Sequence, residues 1–293
     1  MSRGRYAPTP SGDLHLGNAR TAILAWLHAR ATGGQIGLRI DDLDVDRCRE
    51  EFEFRQFEDL AWLGLTWDGE TVHQSERLPH YNAAVAQLEA AGLVYPCFCS
   101  RAEIKAAASA PHGESEAIYP GTCRALASTE AAERIAQGER HALRLAVPAG
   151  VERFHDFVHG DVAIDVATTA GDLVLVRSDG VIGYQLACAV DDAQPAITSV
   201  VRGEDLLASA AFQRVIMRLL NLEPPSYGHV PLMLGDDGAR LAKRHGSIAL
   251  RDHRDHGAAP EDIVGMLAGM CAIGDGSPAQ LDDLVPLAAG LAG

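Results

Sequence analysis

Three groups of residues have the types and spacing to do chemistry. In the first, Arg5-Tyr-Ala-Pro-Thr-Pro-Ser-Gly-Asp-Leu-His15-Leu-Gly-Asn18, a histidine and small residues stand just ahead of a helical pattern. Unpaired N–H groups and the positive end of a helix dipole gather at such a point, which suits a triphosphate. Gly12 and Gly17 let the backbone approach the nucleotide. The second group, Arg240-Leu-Ala-Lys243-Arg-His-Gly-Ser247, starts 225 residues after His15 and is basic enough to hold a departing pyrophosphate. The third is Cys97, Cys99 and Cys123, within 27 residues. Cys-x-Cys sets two sulfurs at one turn, and Cys123 offers a third thiolate to a tetrahedral Zn²⁺. The fourth ligand is open, His112 being the chemically common kind of donor.

The elements around these groups read as an α/β fold. Gly4 to Ala7 makes a short strand that ends at Pro8-Thr9-Pro10, where helix is disfavoured. From Gly17, Ala19, Ala22, Ile23, Trp26 and Leu27 recur at helical spacing until Gly33-Gly34. Ile36, Leu38 and Ile40 then alternate as a strand that delivers Asp41 at its end. Strand, helix, strand predicts a βαβ unit with a parallel sheet, so Thr9, His15 and Asp41 should meet beyond the strand ends. A helix is expected over 50–63 with Phe57, Leu60 and Ala61 inward, and another over 79–91. The Ala-rich, turn-rich stretch 100–150 reads as part of an insertion. After it, 173–176 makes a strand, and Asp179-Gly180 a hairpin into 181–184. A strand over 197–201, a helix over 208–220 and short helical pieces complete the pattern.

Together the first two segments resemble the HIGH and KMSKS signatures of class I aminoacyl-tRNA synthetases, and more narrowly the glutamyl-tRNA synthetase family. The likeness also rests on Arg39-Ile-Asp-Asp-Leu-Asp44, Trp62-Leu-Gly-Leu-Thr-Trp67-Asp, Gln74-Ser-Glu-Arg77, Tyr95-Pro-Cys-Phe-Cys99 and Val201-Arg-Gly-Glu-Asp-Leu-Leu207, and runs from about residue 3 to 256. Three features resemble the family's truncated, tRNA-modifying branch: a chain ending soon after the basic loop, the segment Tyr184-Gln-Leu-Ala-Cys-Ala-Val-Asp-Asp-Ala193, and Cys97-x-Cys99 with Tyr119-x3-Cys123. That branch activates L-glutamate with ATP and transfers it to the queuosine base in the tRNA(Asp) anticodon. A truncated enzyme charging a tRNA 3′ end or another acceptor and an inactive zinc-stabilised RNA-binding paralogue are the alternatives.

The resemblance implies a Rossmann-like catalytic core in two halves (1–95 and 166–235), an insertion with a zinc site (96–165), and a loop and helical part (236–293) without an anticodon-binding domain. It implies ATP contacts from His15, Gly17, Asn18 and Lys243, with His15 and Lys243 catalytic. Arg5 and Arg202 would take the glutamate side-chain carboxylate, Asp41 the ammonium, with Ala7, Thr9 and Tyr184 along the pocket. Arginine suits the carboxylate because its planar fork binds two oxygens at once. Asp41 stands where the family has glutamate, one methylene shorter, so its ammonium contact is expected through water. Ala242 replaces a serine of the signature. Among the zinc ligands the resemblance favours Cys97, Cys99, Cys123 and the Tyr119 phenolate, with the metal structural.

Composition bounds the rest. The chain has 293 residues, 47% hydrophobic and 22% charged, which is globular. No apolar run is long enough for a bilayer and the start has no signal-peptide core, so a soluble cytoplasmic protein is expected; a monomer is expected as well. The six cysteines need not form disulfides there, and Cys48, Cys188 and Cys271 are expected as buried small residues. The net charge of −15 argues against bulk RNA binding. A local patch is expected at 240–256, whose five basic and two acidic side chains give +3, against −6 over 41–59 from nine acids and three arginines.

Overall fold

The structure, a computed structural model, describes residues 2–107, 118–233 and 249–292. His112, Arg240, Ala242, Lys243 and Arg244 lie outside the described residues.

β1 (Arg3–Tyr6) is followed by the Pro8–Gly12 loop, α1 (Leu16–Ala31) and β2 (Gln35–Ile40), which returns parallel to β1 with Arg5 opposite Gly37. The expected inward positions of α1 are buried, with Ala19, Ile23 and Leu27 at 0% exposure. α2 (Glu50–Trp62) comes next, then β3 (Val72–His73), parallel to β2, and α3 (Leu78–Ala90). In α2 the inward set differs from the expected one. Leu60 is buried and Phe57 half-buried, but Ala61 is exposed, and Gln56 and Asp59 point in instead. Those two polar side chains face the Pro8–Gly12 loop and the C-terminal helices rather than an apolar sheet.

The middle of the chain forms β4 (Val94–Cys97), α4 (Arg101–Ala107), α5 (Ser128–Ala136), β5 (Ala142–Leu145), β6 (Val151–Asp156), β7 (Gly160–Asp165), α6 (Val166–Thr169) and β8 (Leu173–Val176). β4, β5 and β8 make a three-stranded antiparallel sheet. The hairpin expected after β8 survives only as a turn and one bridge, Val176 to Ile182. Tyr184 does not continue it as strand; it begins α7 (Tyr184–Asp191).

β9 (Ser199–Gly203), α8 (Leu207–Leu219) and β10 (Ser226–Val230) complete the second half. β6 and β9 flank β10 in parallel, and β7 adds antiparallel to β6. The Thr198 N–H donates to the Arg3 carbonyl (2.9 Å), so this sheet abuts the β1 edge of the first. α9 (Leu250–Asp255), α10 (Pro260–Gly269) and α11 (Leu281–Leu284) then pack on α1 and α2, where Leu250, Leu267 and Leu281 join the core with Ile23 and Leu60. No described helix is long and apolar enough to cross a membrane. All six cysteines are unpaired; Cys188 is buried as expected, whereas Cys48 and Cys271 are half-buried.

Candidate active site

The strand ends and the α1 N-terminus border one cleft of about 400 Å³. Its lining includes Arg5, Ala7, Thr9, His15, Gly17, Asn18, Asp41, Tyr184 and Arg202, so the described residues singled out for nucleotide and glutamate are brought together.

His15 is the N-cap of α1. Its Nδ1 accepts the Gly17 N–H (3.1 Å) and its own N–H donates to Asn18 Oδ1 (3.2 Å), a reciprocal capping box. With Nδ1 used as an acceptor, the proton of the neutral ring sits on Nε2, the nitrogen able to donate to a phosphate oxygen. Gln56 fixes the loop opposite, donating Nε2–H to the carbonyls of Thr9 (3.1 Å) and Gly12 (2.8 Å).

Arginines and aspartates interlock at the end of β1 and β2. Arg5 grips Asp192 with two bonds (Nε–Oδ1 3.1 Å, Nη2–Oδ2 2.9 Å). Arg39 donates to Asp41 (Nε–Oδ1 2.6 Å, Nη2–Oδ2 3.3 Å) and to Asp192 Oδ1 (2.5 Å). All four are buried. Burial pushes the Asp192 carboxyl up, but Arg39 and Arg5 outweigh it and hold the group far below the carboxylate range. At Asp41 burial wins over Arg39 and the carboxyl rises. Asp191 anchors the other side, accepting from Gln74 (2.9 Å), Arg77 (2.7 Å) and the Tyr81 hydroxyl (2.7 Å).

Arg202, on β9, has different company. It donates Nε–H to His229 Nε2 (3.0 Å), Nη1–H to Gln213 Oε1 (2.9 Å) and Nη2–H to the Leu206 carbonyl (3.3 Å). His229 Nδ1 in turn lies 2.6 Å from Asp156 Oδ2. Burial raises the Asp156 carboxyl, but His229 and the N–H groups of His159, Val158 and His229 bring it down to about 2.

Sequence reasoning gave no role to Arg39, Gln56, Asp156, Asp192 or His229. Arg39 and the Asp191-Asp192 pair stand inside the quoted segments, a usable signal. Nothing near Asp156 or His229 in the sequence marks them, because their partner arrives through strand pairing.

The residues after the basic segment are clipped to the α1 side of the cleft. Leu250 N–H donates to the Leu14 carbonyl (2.7 Å) and Ala249 bridges His15. Arg254 Nη1 lies 3.6 Å from Asp59, and Arg251 3.8 Å from Asp13 and 3.7 Å from Glu58. Two cations of the expected RNA patch are therefore spent partly on α2.

The sulfurs of Cys97, Cys99 and Cys123 lie within 4.8 Å of one another, with Cys99 and Cys123 at 3.5 Å. Tetrahedral bonds of about 2.3 Å separate neighbouring sulfurs by roughly 3.8 Å, so the cluster fits a zinc ion. The Tyr119 oxygen is 3.4 Å from Cys97 Sγ and accepts the Cys123 N–H (2.8 Å). The Arg144 guanidinium carbon sits 3.9 Å from the centre of the Tyr119 ring, a cation–π contact, while burial and the neighbouring Cys97 thiol push the phenol up from its ordinary value.

Residues 2–275 match the family described as tRNA synthetases class I (E and Q), catalytic domain. The chain is 49% identical to a glutamyl-Q tRNA(Asp) synthetase of Symbiobacterium thermophilum, covering 98% of this chain and 92% of that one. It is 48% identical to one of Nocardia farcinica, over 95% and 87%. Among solved structures, a glutamate tRNA ligase from Elizabethkingia meningosepticum superposes with a TM-score of 0.82 at 26% identity, over 98% of this chain. The chain spans 65% of that ligase's length.

Proposed function

Because this chain belongs to the glutamyl-Q tRNA(Asp) synthetases, within the class I tRNA synthetases of the glutamate and glutamine group, we propose that it activates L-glutamate with ATP and transfers it to queuosine in the anticodon of tRNA(Asp). The observation that carries this reading is one cleft joining the His15-capped N-terminus of α1 to buried arginines. In the first step a glutamate carboxylate oxygen bonds to the α-phosphorus of ATP and pyrophosphate leaves. In the second a hydroxyl of the queuosine ring attacks the acyl carbon, losing its proton as AMP departs.

Positioning and charge stabilisation do most of this work. His15 Nε2–H and the first N–H groups of α1 would hold phosphate oxygens, with ATP entering alongside Mg²⁺. Lys243, six positions before the clipped Ala249, would meet the charge of the separating pyrophosphate. Arg202 and Arg5 would bind the glutamate side chain, Asp41 the ammonium, with Ala7, Thr9 and Tyr184 bordering it. Asp192 keeps Arg5 oriented, while three of the five N–H groups of Arg5 stay outside that pair. Cys97, Cys99, Cys123 and Tyr119 would hold one Zn²⁺, whose role is to fold the segment around β4.

The deciding assay uses labelled glutamate and tRNA(Asp) with and without queuosine. Label on the modified tRNA alone, retained after the 3′-terminal adenosine is removed, is the expected result. Label lost with that adenosine would make the protein a 3′-end charging enzyme.

A further inference from the structure

Arg5 and Arg202 are both buried arginines in the cleft wall, but they are held by opposite means. Arg5 is neutralised in place by the Asp192 carboxylate, whereas the three acceptors hydrogen-bonded to Arg202 are a ring nitrogen, an amide oxygen and a carbonyl. The nearest carboxylate along this chain of bonds, Asp156, stands one imidazole further back. Strand pairing makes the arrangement: His229 of β10 is the register partner of Arg202 on β9, and β6 brings Asp156 to the other side.

The bonds leave His229 one state. Asp156 takes the N–H groups of Val158 (2.9 Å), His159 (2.9 Å) and His229, so it is an ionised acceptor, and the ring must carry its proton on Nδ1. Nε2 then faces the Arg202 Nε–H as an acceptor. A second ring proton would set N–H against N–H, beside a cation and away from water. His229 and Asp156 are at 0% exposure and Arg202 at 4%.

We infer that His229, locked by Asp156, is a positioning residue that orients Arg202 without neutralising it, so that the pocket selects a carboxylate over a carboxamide side chain. A carboxylate in the place of His229 would hold Arg202 equally well but cancel its charge. A neutral imidazole fixes the plane of the guanidinium and leaves the charge for the substrate. This deepens the reading of Arg202 as the partner of the glutamate side chain, and rests on it.

The test is pyrophosphate exchange in the presence of tRNA(Asp), with glutamate and glutamine as competing substrates. His229→Asn and Asp156→Asn are expected to raise the glutamate KM roughly tenfold or more and to narrow the preference over glutamine. The ATP KM and kcat should stay within about threefold, which general loosening of the fold would not allow. His229→Gln, whose Oε1 reaches the position of Nε2, should recover most of the loss. If Arg202→Met raises the glutamate KM while His229→Asn leaves it within about twofold, the role of His229 is wrong and the pocket assignment stands. If Arg202→Met itself has no effect, the pocket assignment falls and the inference with it. A measurement on the unmodified protein covers variants that fail to fold: nitrogen NMR should show His229 protonated at Nδ1 only near neutral pH. A proton on Nε2 would overturn the mechanism.

Discussion

A side chain on residue 17 would press against the ring that caps its own helix. A Cβ there would lie 3.0 Å from Cε1 and 3.1 Å from Nδ1 of His15. Gly17→Ala must therefore push the imidazole aside by a few tenths of an ångström, and a raised ATP KM with a loss of exchange is expected, glutamate KM holding steady. Lys243→Ala should behave differently. A charge used mainly as pyrophosphate separates is lost from kcat more than from binding. Exchange remaining within about threefold of the parent protein, about 0.7 kcal/mol, would dismiss that role. At this scale the sequence was legible in part. Arg5, Asp41 and Arg202, at the ends of β1, β2 and β9, are singled out by the family resemblance of the whole motif set, since a lone arginine or aspartate reads as a solvated charge. The pairings among them were not legible. Arg5 meets Asp192 across 187 positions, and no local pattern couples two residues so far apart.

Among the elements, α2 shows where periodicity misleads. The 3.6-residue pattern located the helix well, yet its inward face holds Asp59 where the pattern favoured Ala61, because that face meets α9 and not an apolar layer. Among the described residues neither carboxylate oxygen of Asp59 has a hydrogen-bond partner, and Arg254 approaches only to 3.6 Å. Burial lifts the Asp59 carboxyl from 3.8 to about 6. Between those values the native state keeps a proton that the unfolded chain has released, so this group costs stability as pH rises through the window. Asp59→Asn should accordingly stabilise the protein above about pH 6, by up to about 3 kcal/mol, and change little below about pH 4. Urea unfolding at the two ends of that range measures it. The cysteine-bearing strand makes a second element-level prediction. Purified protein should carry about one zinc per chain, with Cys99→Ser largely metal-free and Tyr119→Phe weakened. Full occupancy in Tyr119→Phe would give the fourth position to another donor, and zinc-free protein prepared without chelator would dismiss the site.

At the scale of the molecule, a net charge of −15 sets how RNA is held. Arg251 and Arg254 already lie near acids of the Asp13 loop and α2, so few cations of the 240–256 segment are left for phosphates. Binding of tRNA(Asp) should show a shallow salt dependence, worth about two to four phosphates. An isolated queuosine-bearing anticodon stem-loop should accept glutamate nearly as well as the whole tRNA. A steep slope, or an inert stem-loop, would require contacts along the rest of the tRNA. The buried arginine cluster reaches further than catalysis. Arg5 and Arg39 precede the carboxylate they share by 187 and 153 positions. Until Asp192 has been synthesised and α7 has docked, the amino-terminal strands would bury two guanidinium groups with too little counter-charge. Long-range closure of this kind slows folding and makes it a late, whole-chain event. A nascent chain halted before residue 192 should stay open to protease and depend on chaperones, with the substrate pocket and the native fold appearing together.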